Sequence, residues 1–465
     1  MPTPGNWSWL TSDANRTLYN ALNDRIKNLL LRYDVTFPAS LSQIPGDLTL
    51  LQYTKASDPL DPWAQHISSL LDRSTLLTTD LTITCPASEL SPTIRSFPAH
   101  KFLLSARSPY FARKLAPPTD EPKKHIRTFQ LPRTTAPSAF IAVLHHIYLF
   151  EPTDPSEDTL QKIIKLADHY DIPDVLDATL TTDPKQRRAA RKASVQKAHS
   201  DLTRFFDTFI TPHGGEVGSH SIPQHNPAHA DIALRAGDIV FPAHRAVLTR
   251  ADYFATMLNG RFAESRRPGP NEPLPVVHME DIEPETLRLI LRHLYLEILE
   301  IPVAEAVELL YAADSLLLDR LKTMCAQTIV AAEAELPCSI YDVIRAGWNT
   351  RVRKLEEFGA RYIADRLELY LGEEEFRELV SESAERIEGR QETDTIEVVD
   401  DVRYYLQGRF RRRAEERFED VQKLLPDGEE EDEGDDDEGG RGDERLHEGL
   451  LEGIDTLLEG LTLDA

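Results

Sequence analysis

The sequence predicts a mostly α chain of the α+β class. Two small α/β domains come first, then a helical extension, then an acidic tail that ends in an amphipathic helix. Three observations carry this prediction: a domain-sized block of about 100 residues occurs twice, apolar residues recur at helical spacing from 336 to 425, and residues 427–444 hold twelve acids against one arginine.

Residues 1–75 read as a helical and irregular segment. Leu18, Leu22, Ile26 and Leu30 share one face of a helix from Thr17 to Tyr33, because a spacing of four keeps side chains on one side of the turn. Asn15 is its candidate cap. Pro38, Pro45, Pro59 and Pro62 then break any long element.

The repeat occupies residues 76–180 and 230–335. In the first copy Leu81-Thr-Ile-Thr84 leads to Phe97-Pro-Ala-His100-Lys-Phe-Leu-Leu104 and Tyr110-Phe111. In the second, Asp231-Ile-Ala-Leu234 leads to Phe241-Pro-Ala-His244-Arg-Ala-Val-Leu248 and Tyr253-Phe254. Each continues with a short strand (Thr128–Leu131, Val276–Met279), an apolar helix ending His-Ile-Tyr-Leu149 or His-Leu-Tyr-Leu296, and a helix carrying Leu-Ala-Asp168 or Ala-Ala-Asp314. Asp80 to His100 is seven residues longer than Asp231 to His244, so the copies differ in their first hairpin. The proline fixes φ as the chain leaves a strand for a helix. That helix is expected to bury Leu103, Leu104 and Phe111, or Val247, Leu248 and Phe254.

Residues 181–229 join the copies, first as a charged helix ending in Phe205, Phe206 and Phe209, then as a Gly/Pro/His loop. His213, His220, His225 and His229 lack the cysteine or paired carboxylate that would complete a metal site, and loop histidines are ordinarily solvated. No metal and no cofactor is expected. Residues 336–425 place Ile340, Val343, Ile344, Leu355, Phe358, Ile363, Leu367, Phe376, Leu379 and Val380 at helical spacing. Residues 426–445 are too acidic to bury a core and read as disordered. From 446 to 465, Leu446, Leu450, Ile454, Leu457 and Leu461 form one stripe of an acidic amphipathic helix.

At 465 residues the chain exceeds one compact core and suggests about three domains plus linkers. Cys85, Cys325 and Cys338 form no C-x-x-C pair and read as buried thiols of a reducing compartment. Met1 to Leu10 lacks the marks of a secretory signal, and no run of 18 apolar residues would cross a membrane. A cytoplasmic protein without membrane contact is expected. The formal charge of −26 disfavours nucleic acid as a partner. The basic cluster Lys185–Lys192 reads as the solvated face of the linker helix, with a nuclear-import signal as the alternative.

Phe97-Pro-Ala-His-Lys with Ser108-Pro-Tyr-Phe111, and Phe241-Pro-Ala-His-Arg with Asp252-Tyr-Phe254, resemble the hallmark segment of BTB/POZ domains. The hallmark positions are Phe97, His100, Tyr110, Phe111, Phe241, His244, Tyr253 and Phe254. The helices after 336 resemble the BACK extension that follows many such domains. Two copies in one chain resemble the ankyrin-repeat-and-BTB/POZ family, although residues 1–80 carry no Thr-Pro-Leu-His ankyrin signature.

No nucleophile elbow, phosphate loop or His-Glu-x-x-His motif appears, so no enzyme is expected. His100 and His244 start packed helices and read as structural, as do Asp168 and Asp314 at a helix junction. The resemblance implies protein partners. In cullin-binding BTB domains a hydrophobic-x-Glu motif follows the hallmark helix, and here Phe262-Ala-Glu264 matches it. The first copy has Lys114-Leu-Ala-Pro-Pro118 instead, without the glutamate. Phe262 equally fits a residue that closes its own domain, with Glu264 a surface charge. The expected function is therefore a protein-interaction adaptor of a cullin-3-type ubiquitin ligase, with an unknown protein cargo and with the two copies paired inside the chain. The alternative is a non-ligase scaffold that oligomerises or binds a partner such as a translation factor.

Overall fold

The computed structural model describes residues 60–71, 78–87, 93–116, 128–152, 154–181, 183–210, 226, 228–260, 266, 272–297, 300–388, 396–424 and 438–463. The expected helix from Thr17 to Tyr33 lies outside them, as do His213, His220, His225, Phe262 and Glu264. The chain divides into two units, residues 1–67 and 68–465. Of the first, the structure describes the start of α1 (Asp61–Ser69), in which Trp63, Ala64 and Ile67 are buried.

In the second unit, the first copy opens on β1 (Leu81–Pro86), antiparallel to β2 (Ile94–Ala99) and parallel to β3 (Thr128–Gln130). The order β2-β1-β3 leaves β2 at an edge, where Pro98 removes no ladder bond from the sheet interior. Leu81, Ile83 and Cys85 face inward at the period of two. Between β2 and β3 lie α2 (Lys101–Arg107) and α3 (Pro109–Leu115). Ser108 separates them, accepting the Phe111 N–H at 3.3 Å and donating to the Tyr170 carbonyl at 2.6 Å. After β3 come α4 (Pro137–Ile147), α5 (Glu157–His169) and α6 (Val175–Leu180). The linker helix α7 (Pro184–Phe209) starts on a proline, with the Asp183 carboxylate accepting the Lys185 N–H.

The second copy repeats the plan. β4 (Ile232–Ala236) is antiparallel to β5 (Ile239–Ala243) and parallel to β6 (Val276–His278), in the order β5-β4-β6. Its hairpin closes on two residues, of which Gly237 takes φ +54°, the left-handed conformation such a turn requires. Here α8 (Arg245–Leu248) is one short turn, followed by α9 (Asp252–Asn259). His244 to Tyr253 is one residue shorter than His100 to Tyr110, which accounts for the shortened helix. The copy ends with α10 (Pro284–Leu296), a 3-10 turn (Val303–Glu305), α11 (Ala306–Ser315) and α12 (Asp319–Ala331). Leu103, Leu104, Phe111, Val247, Leu248 and Phe254 are all buried.

The copies meet across one aromatic seam. Phe102 of α2 stacks on His244, with ring centroids 4.3 Å apart. Phe205 and Phe206 of α7 close the seam, Phe206 lying 5.4 Å from the Tyr295 ring. The Arg107 guanidinium, fully enclosed, ties α2 to the linker helix through Asp201 (2.8 Å) and reaches Asp174 at 3.3 Å. Burial opposes ionisation of Asp174, but His146, Arg107 and Lys197 around it hold its carboxyl well below the usual range.

The extension comprises α13 (Ile340–Thr350), α14 (Arg353–Ala364), α15 (Leu367–Tyr370), α16 (Glu374–Glu388) and α17 (Glu397–Leu424). Gly359 lets α13 and α14 approach, since a Cβ there would overlap Ile344. The terminal helix α18 runs from Glu438 to Gly460 and corrects two expectations. It starts inside the acid run, because Arg413 and Arg417 of α17 neutralise Asp443. Its buried face is Leu450, Ile454, Leu457 and Leu458, whereas Leu446 is exposed and Leu461 only half-buried. The remainder of the run, residues 425–437, lies outside the described residues.

The seam generates a stability prediction. Phe102→Ala should cost about 3 kcal/mol, the usual loss for a buried phenylalanine, read as a lower urea midpoint for the whole chain. A loss below about 1 kcal/mol would mean that the seam does not hold the copies together.

Candidate functional site

The hallmark histidines are built into the strand-to-helix turns. The His100 N–H donates to Tyr148 Oη (2.8 Å), and its Nδ1 lies 2.9 Å from the same oxygen. In the second copy His244 Nδ1 is 2.6 Å from Tyr295 Oη, and Nε2 is 2.8 Å from the Ala228 carbonyl. A carbonyl only accepts, so Nε2 carries the proton and Nδ1 accepts from the tyrosine hydroxyl. Both nitrogens are committed, and burial lowers the His244 pKa to about 3. This is a turn-fixing imidazole whose one basic lone pair is taken up by the Tyr295 hydroxyl.

An aspartate, not singled out in the sequence, completes each turn. Asp80 Oδ1 accepts the Lys101 N–H at 2.9 Å, and Asp231 Oδ1 accepts the Arg245 N–H at 2.8 Å. The signal was an acid directly before the first strand in both copies. Burial raises the Asp80 pKa to about 6, with the Asp231 charge across the seam adding to it and Lys101 opposing it. His229 departs from the solvated loop histidine expected. At φ 58° it reaches the first copy, its Nε2 3.1 Å from Ser105 Oγ, and burial lowers its pKa to about 4.

Of the junction acids, Asp314 holds Lys322 at 2.6 Å. Asp168 is exposed and makes no ion pair among the described residues, so that expectation holds for the second copy alone. Leu115, which stands where the second copy has its hydrophobic-x-Glu motif, is buried in the first copy's core. Phe97 is half-buried and Phe241 buried.

The two copies differ most on their outer surfaces. Tyr110 is half-buried against His169 and Tyr170, whereas Tyr253 is 39% exposed. Three residues before Asp168 and Asp314 stand Lys165 and Tyr311, and three residues after stand Asp171 and Leu317. Tyr311 is 40% and Leu317 60% exposed. Asp171 and Leu317 share the left-handed conformation, φ 58° and 57°. Aspartate accepts that conformation readily, whereas leucine loses about 1 kcal/mol in it. An exposed leucine there is unfavourable on both counts, which makes the position a candidate for a contact surface. Asn349 of α13 donates to Tyr311 Oη at 3.3 Å, joining this face to the helical extension. The sequence reading missed this face because each residue alone is ordinary; only the register between copies exposes it.

Comparison with known proteins follows the same lines. A BTB/POZ domain profile matches residues 72–185 and again residues 223–333. BTB/POZ domain-containing protein 3 of Schizosaccharomyces pombe is 33% identical over 408 residues, covering 86% of this chain and 70% of that protein. An ankyrin repeat-containing protein of Saccharomyces cerevisiae is 32% identical over 421 residues, covering 85% of this chain and 76% of its own. Human Kelch-like protein 11 is 35% identical over 99 residues, 20% of this chain and 13% of that protein.

The shifted groups predict a pH profile. His229, His244 and His293 have folded pKa values near 4, 3 and 3, below the ordinary 6.5. The folded state therefore binds fewer protons than the unfolded one, and stability is lost as pH falls below about 6.5. Asp80 has the opposite sign. Its raised pKa imposes a cost that is absent below about pH 3.8, grows as pH rises to about 6 and is complete above that. Asp80→Asn should thus gain on wild type between pH 4 and pH 7 by about 1.5 kcal/mol, half the full shift because Asp80 stays partly exposed. Urea melts of the two proteins check this; a pH-independent difference would contradict it.

Proposed function

The chain belongs to the BTB/POZ domain family, and from that premise we propose that it is an interaction adaptor whose second copy docks on a cullin-3-type scaffold of a ubiquitin ligase. The observation that carries the reading is the asymmetry at matched positions. The second copy presents Tyr253, Tyr311 and Leu317, where the first carries a half-buried tyrosine, a lysine and an aspartate. Exposed tyrosines and an apolar anchor are the usual composition of an interface hot spot. Phe262 and Glu264 follow α9, whose exposed Tyr253 belongs to the same set, and the local Kelch-like match supports the same reading.

In this reading the chain does no chemistry. It holds a protein cargo and raises the effective concentration of the cargo's lysines near the ligase. Pairing of the two copies across the Phe102–His244 stack supports a single scaffold site per chain.

The test uses the full chain and the amino-terminal domain of cullin-3 in a calorimeter. Leu317→Asp, which copies the first domain, should weaken binding at least tenfold, about 1.4 kcal/mol. Its melt should hold or rise, because aspartate suits φ 57° better than leucine. Phe262→Ala should weaken binding similarly. Asp171→Leu in the first copy should leave binding unchanged. Wild-type protein that fails to bind at tens of micromolar, or a Leu317→Asp variant that binds as wild type, would refute the scaffold reading.

A further inference from the structure

The terminal helix α18 sits on a surface of α17 whose chemistry is specific. At its centre is Phe410, nearly buried, with the guanidinium groups of Arg409 and Arg413 at 5.4 and 5.5 Å from its ring centroid. The His447 ring of α18 covers it at 4.8 Å. Arg409 is answered by Glu368, beside its own helix. Among the described residues, the carboxylates that answer Arg403, Arg413 and Arg417 all come from α18. Asp455 pairs with Arg403, and Asp443 lies 3.4 Å from Arg413 and 3.0 Å from Arg417. Leu450, Ile454, Leu457 and Leu458 supply the apolar face, and Gly453 gives Leu371 room that a Cβ would deny it. The groove is therefore cut for an acidic helix with a leucine stripe.

Its present occupant is weakly built. Six of the 23 residues of α18 are glycine. At Gly442, Gly449 and Gly460 an added Cβ would meet nothing within 4 Å, so packing does not demand glycine there. Glycine lowers helix stability wherever no close approach repays it. With this much glycine, the helix draws its stability mainly from docking rather than from its own propensity. Residues 425–437, which join it to α17, carry nine acids and no base.

We propose that the α17 groove is a binding site for the acidic amphipathic helix of a partner protein, and that α18 is a built-in occupant which such a helix displaces. The site is independent of the scaffold face on the second copy. An occupant bound in cis at high effective concentration sets a threshold: a partner helix enters only when it binds better than the glycine-rich tail.

The experiment uses the full chain and a fluorescein-labelled synthetic peptide of residues 438–463. Anisotropy should show little binding to wild type. Binding should be at least tenfold tighter to a chain in which Leu450→Ser, Ile454→Ser and Leu457→Ser release α18. Adding Arg413→Glu and Arg417→Glu to that chain should abolish the gain, and a scrambled peptide should not bind. A gentler release, Asp443→Arg with Asp455→Arg, should raise amide exchange across 438–460 while residues 397–410 stay protected. Equal binding to wild type and released chain would overturn the proposal, as would no binding to either. Loss of protection throughout α17 on release would also overturn it, by making α18 part of the extension's core.

Discussion

The stack of Phe102 on His244 is the contact on which the arrangement of the chain depends. It joins the first helix of one copy to the strand-to-helix turn of the other, and Phe205 and Phe206 of the linker helix close the remaining sides. The position matching Phe102 in the second copy is Ala246, which is buried. The seam is therefore asymmetric: the first copy supplies a phenylalanine ring where the second supplies a methyl group.

The same contact constrains the imidazole chemistry. His244 cannot protonate without giving up the hydrogen bond that Nδ1 accepts from Tyr295, and the ring is buried against Phe102. Asp80 and Asp231 repel one another across the seam while each caps the helix of its own copy. Fixing the turn, capping the helix and joining the copies thus fall to one small set of residues. That explains why the Phe-Pro-Ala-His segment is kept in full in both copies while the hairpins and outer faces have diverged.

Much of this was legible in the sequence. The repeat revealed two α/β domains, since strand alternation, the proline and the helix residues recurred at matched offsets, and the apolar spacing after 336 revealed the helical extension. What escaped has a physical cause in each case. Asp80 acts through a backbone N–H far along the chain, so no local spacing announces it. The start of α18 at Glu438 depends on arginines of α17 that neutralise part of an acid run. Tyr311 and Leu317 needed the left-handed backbone at Leu317, which leucine conceals and its counterpart Asp171 reveals.

The central claim is that the two BTB/POZ domains satisfy one another within a single chain. Light scattering of the full chain across a hundredfold range of concentration, up to tens of micromolar, tests it directly. The seam predicts the mass of one chain throughout, because the linker keeps the two copies at high mutual concentration. A mass that climbs to two chains, and falls back to one in Phe102→Ala, would show that the copies pair between molecules instead.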